Sequence, residues 1–96
     1  MKKFVFLYVG LEPPTEEIKD AWLNWFASIE DSLVDSGNPF GSGREITRTG
    51  TRDLALDKGA ITGYSIINAD SMDEAEKIAQ GCPSITGVQI YEALPM

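Results

Sequence analysis

Arg44, Arg48 and Arg52 gather positive charge in a chain whose formal net charge is −7. A guanidinium offers its donors in a fixed fork, so such residues can hold a carboxylate or phosphate bidentately. Arg44 and Arg48 would share one face of a short strand. A solvated edge strand with internal ion pairs is the commoner use of this pattern. Asp70 stands at the end of an apolar run, just before a helix cap at Ser71. It could line a cleft as a base or ligand contact, although Asp in this setting more often hydrogen-bonds the turn backbone. Trp22, Trp25 and Phe26 could floor an apolar ligand pocket, but at helical spacing such residues are more often plain core. Cys82 is the only thiol. It lies between Gly81 and Pro83 without the electropositive setting that makes a thiolate, and an inert, small, buried side chain is expected.

Other chemistry lacks its residues. The chain has no histidine, so the usual general base near neutral pH is missing, and a perturbed Asp, Glu or Tyr would have to replace it. One cysteine, no histidine and no calcium-loop spacing leave no metal site in the sequence. Gly41-Ser42-Gly43 is too short for a phosphate loop. No cofactor is expected, and no catalytic residue is assigned.

The elements that must position these residues follow from pattern. Residues 3–9 (KFVFLYV) form a strand bounded by Gly10. Phe4, Phe6 and Tyr8 face one way and Val5, Leu7 and Val9 the other, so both faces are apolar. The break at Pro13-Pro14 leads to Thr15, an N-cap with Glu16 and Glu17 in the first turn. Ile18, Trp22, Trp25, Phe26, Ile29 and Leu33 keep the helical period, which predicts a helix to about Ser36 with Gly37 just beyond its end. Leu23, Ala27 and Val34 make a minor opposite face. After the turn-rich stretch 38–43, residues 44–48 (REITR) read as a polar strand at a sheet edge. Residues 49–59 are a loop or hairpin with a turn at Asp57-Lys58-Gly59, and Leu54 and Leu56 allow a brief strand.

Residues 60–69 (AITGYSIINA) are the next strong strand, with Ile61 and Ile67 on one face and Tyr64 and Ile66 on the other. Gly63 implies a bend or a close backbone approach. Ser71 and Glu74 form a capping box for a short helix with Met72, Ala75, Ile78 and Ala79 inward. Residues 88–94 form the last strand.

This βαββαβ order is an α+β, ferredoxin-like arrangement: an antiparallel sheet with two helices on one face and the first and third strands central. Those two strands are apolar on both faces, and the helices cover only one. The expectation is a homodimer joined through the helix-free face, with Val5, Leu7, Tyr64 and Ile66 as the side chains needing cover.

With 96 residues, 43% hydrophobic and 24% charged, the chain reads as one domain, 1–96. The acidic surface argues against nucleic-acid and anionic-membrane partners. Residues 4–9 are too short an apolar run for a signal peptide or a membrane span. With a single cysteine nothing points to an oxidising compartment, and a cytoplasmic location is expected.

Gly63-Tyr64-Ser65-Ile66-Ile67, Ala69-Asp70-Ser71-Met72-Asp73-Glu74-Ala75 and Ala79-Gln80-Gly81-Cys82-Pro83 together resemble the YCII-related family. Trp22, Trp25-Phe26 and Gly37-Asn38-Pro39-Phe40-Gly41 resemble one branch of it. The resemblance implies a dimeric α+β barrel, in which ferredoxin-like domains pair sheet to sheet. It implies little about activity. Some relatives carry a histidine in the first helix, where this chain has residues such as Asn24, and many carry one after the Gly-Cys-Pro turn, where it has Ser84. A histidine-based mechanism does not transfer. The candidate ligand contacts are Arg44, Arg48, Asp70, Tyr64 and Asn24. The expected function is a homodimeric small-molecule-binding or interaction domain without catalysis. The alternative is a cofactor-independent enzyme, lactone-processing or monooxygenase-like, working between helices and sheet.

Overall fold

Strand β1 (Lys2–Val9) and strand β5 (Ile61–Ala69) pair antiparallel at the centre of a four-stranded sheet. The computed structural model describes residues 1–10, 15–84 and 86–96; the Pro13-Pro14 break expected from the sequence lies outside them. Strand β2 (Leu33–Asp35) flanks β5, and strand β6 (Gly87–Ala93) flanks β1, giving the order β2-β5-β1-β6. Helices α1 (Glu16–Ser28) and α2 (Met72–Gln80) supply the crossovers. The fold is α+β and ferredoxin-like, with the expected strands at the centre. No helix among the described residues is long and apolar enough to cross a membrane.

Alternation along the central strands sorts residues by face. Phe4, Phe6 and Tyr8 of β1 join Ile67 and Ala69 of β5, Trp25 of α1 and Ala75 of α2 in one buried core. Each large apolar side chain buried there contributes about 1.5–3 kcal/mol. Val5, Leu7 and Val9 turn the other way. Register sets Ile66 beside Val5 and Tyr64 beside Leu7, with Tyr91 of β6 on the opposite flank of Val5. Among the described residues, no helix covers this face.

The caps follow the sequence. Thr15 Oγ1 accepts the Ile18 amide, and Ser71 Oγ accepts the Glu74 amide. Glu74 reaches back to the Asp70 amide, one residue before the cap.

Four expectations are corrected. First, α1 stops at Ser28, where the predicted helix runs to Ser36. Ser28 Oγ donates to the Trp25 carbonyl, a side-chain bond that competes with continuation. A single 3₁₀ turn, Glu30–Ser32, then leads into β2. Ile29 and Leu33 still pack on the core, which is why the helical period carries past the real helix end.

Second, the sheet's edge strands are β2 and β6, and the Arg44 segment belongs elsewhere. Strand β3 (Gly43–Thr47) pairs with strand β4 (Gly50–Leu54) in a separate two-stranded hairpin. Its turn contains Arg48, so Arg44 and Arg48 share no strand face. Gly50, at φ 147, supplies a backbone angle that other residues resist. Leu54 ends β4, and Leu56 lies beyond it.

Third, Ile61 and Ile67 do not share a face. A register shift next to Tyr8 sets Ile61 opposite Val9 on the helix-free side. Fourth, Met72 is 45% exposed instead of inward.

Candidate functional site

The start of β5, at Thr62, Gly63 and Tyr64, and one side of α1 border a pocket of about 440 Å³. Its far wall is the segment following β2. Asp35 Oδ1 accepts the Gly37 amide, and Gly37 takes φ +79. A Cβ on Gly37 would collide with the Tyr64 carbonyl oxygen, so only glycine lets the chain turn this close to β5. Beyond the turn, Pro39 bridges Gly63 and the Phe40 amide donates to the Thr62 carbonyl at 2.8 Å. Gly63 thus has the close backbone approach its position implied: a Cβ there would meet the Asn38 carbonyl at 3.3 Å.

The helix wall is aromatic. Trp25 is buried, and its Nε1–H donates to the Ile78 carbonyl at 3.2 Å, tying α1 to α2. That fixes the two residues of its stripe that do line the pocket, Trp22 and Phe26. The Trp22 ring stands edge-on to Tyr8 with centroids 4.9 Å apart, and the Phe26 ring lies 5.8 Å from Trp22. Leu23, 67% exposed, stands at the mouth.

At the base a short relay runs inward. The Tyr8 hydroxyl donates to Ser65 Oγ at 2.7 Å, and Ser65 Oγ donates to the Ser36 carbonyl at 2.6 Å. Ser65 is fully buried, and its hydrogen bonds offset that burial. Burial pushes the Tyr8 phenol up to about 12; the Ser65 hydrogen bond acts in the opposite direction and nearby Cys82 adds to the rise. Tyr8 therefore stays neutral near pH 7 and is no general base. Among the described residues, no buried side-chain nitrogen or oxygen is left without a hydrogen-bond partner, and no group of three metal-binding side chains comes together.

The residues singled out from the sequence fall on separate elements. Tyr64 lines the pocket, stacks on Phe40 at 5.6 Å and reaches Asp35 Oδ2 at 3.4 Å. Arg44 pairs with Asp53 at 2.9 Å across the exposed hairpin, as Arg52 pairs with Glu45 at 2.6 Å. Arg48 is in the hairpin turn, Asp70 is exposed at the end of β5, and Asn24 is exposed on α1. None of these three lines the pocket. Tyr8, Ser65 and Ser36 were missed. The first two are a cross-strand arrangement that depends on register, and the third joins only because the chain leaves the helix earlier than its period suggests.

A second hollow, about 660 Å³, opens on the helix-free side between Leu7, Ile61 and the stem of the β3–β4 hairpin, including Phe40 and Leu54. Cys82 is half-buried against the core.

None of the curated proteins compared with the chain matches it. A family model does: the YCII-related domain aligns with residues 4–96, essentially the whole chain. The chain belongs to the YCII-related domain family.

Proposed function

We propose that this domain binds a small organic molecule between α1 and the sheet, as a homodimer and without catalysing its conversion. The observation that carries this is the aromatic pocket of about 440 Å³, a size that suits a small ligand. Its Tyr8 hydroxyl is spent on Ser65 and stays protonated, and the described lining carries no carboxylate. A cytoplasmic location fits the single cysteine.

Support for the homodimer comes from the helix-free face. Val5, Leu7, Ile66 and Tyr64 are only half-buried, Tyr91 is 59% exposed, and Ile46 of the separate hairpin is 77% exposed. An isolated two-stranded hairpin is marginal in water. A second copy related by a two-fold axis would cover both features at once.

The pocket is tested by a thermal-shift screen of metabolites on the native protein and on Leu23→Trp. A larger side chain at this exposed position narrows the mouth without entering the core. A ligand at a hundred times its Kd adds about 2.7 kcal/mol to stability. The expected result is a compound that raises Tm in the native protein but not in Leu23→Trp. Shifts that persist unchanged in the variant, or none at all, contradict the proposal.

A further inference from the structure

The character of the pocket restricts what it can hold. Its described lining carries no charged side chain. The Tyr8 proton is committed to Ser65, whose own proton is committed to Ser36. A ligand charge placed here would lose its water and find no countercharge, which is costly. Trp22, Tyr8 and Phe26 instead present ring faces and edges, which favour a flat apolar partner.

We propose, building on the pocket assignment above, that the ligand class is an uncharged, planar aromatic molecule, and that organic anions and cations of the same shape are rejected. The arginines that might have drawn an anion lie on the hairpin, where Arg44 and Arg52 are already paired with carboxylates. Asp35, which is not part of the described lining, accepts from the Gly37 amide and the Tyr64 hydroxyl. Among the described lining, a cation would find ring faces but no carboxylate.

Three probes of one shape test this at pH 7: 2-naphthol, which is neutral, 2-naphthoate, an anion, and 2-naphthylmethylamine, a cation. Isothermal titration calorimetry of each is run on the native protein and on Leu23→Trp, and the binding removed by Leu23→Trp is scored as pocket binding. The expected result is pocket binding of 2-naphthol at least about tenfold tighter than that of either ion. Leu23→Lys, which sets a cation at the mouth, should narrow the gap between naphthol and naphthoate. If an ion binds the pocket as tightly as naphthol, the ligand class is wrong while the pocket assignment stands. If no probe shows binding sensitive to Leu23→Trp, the neutral-aromatic proposal fails; if the metabolite screen also yields no Leu23-dependent shift, the pocket assignment fails with it.

Discussion

The two faces of one sheet meet opposite fates. On the side of Phe4, Phe6 and Tyr8, two helices complete the core, and those residues are buried. On the side of Val5, Leu7 and Ile66 the same strands carry equally apolar residues that stay half-exposed. The chain has spent both helices on the first face, and its remaining element, the β3–β4 hairpin, stands apart from the sheet with every residue but Gly43 exposed. The lesson is that alternation reports what a strand expects on each side, and one chain need not supply both. The covered face also carries the hollow lined by the Tyr8, Trp22 and Phe26 rings.

Substitutions on the two faces should fail differently. Leu7→Asp places a carboxylate where the proposed partner packs, and it should give aggregated or unfolded chain instead of a stable monomer. On a face that is truly solvent-exposed, the same change would stay within about 0.5 kcal/mol; circular dichroism with size-exclusion chromatography separates the two. Phe6→Ala should cost about 3–5 kcal/mol in chemical denaturation, because a fully buried ring leaves a cavity, while the folded fraction keeps the native particle mass.

A smaller effect follows from Tyr8. Its phenol is raised from 10.0 in the unfolded chain to about 12 in the fold. The folded state therefore binds the proton more tightly, so this contribution is complete below pH 10 and is lost as pH rises towards 12. Comparing stability against alkaline pH for native protein and Tyr8→Phe should show the steeper fall in the native protein; parallel curves would mean Tyr8 is not buried as described. The smallest effect belongs to the hairpin. Arg44→Ala removes an exposed pair with Asp53 and should change stability by under about 1 kcal/mol. If Arg44 instead held an anion, phosphate would raise the native Tm and the variant would lose that shift.

Much of this arrangement is legible in the residues. Two-faced apolar strands, the Thr15 and Ser71 caps and the close approach at Gly63 each have a local cause. The end of α1 is not legible, because Ile29 and Leu33 stay packed, half-buried, against the core on either side of a 3₁₀ turn, so periodicity cannot register the change of backbone. The hairpin was half-legible: charge on both faces of residues 44–48 fits an uncovered strand, but does not say which strand it pairs with. Trp22 and Phe26 carry the signal for an apolar pocket without showing that β5 would part from them. The Tyr8–Ser65 relay depends on a register set by the whole sheet.

The proposed dimer would place a second copy over the helix-free side. Static light scattering on the native protein at micromolar concentration tests that directly. The account predicts a particle of twice the 10.5 kDa chain mass; a well-folded particle of one-chain mass would contradict it.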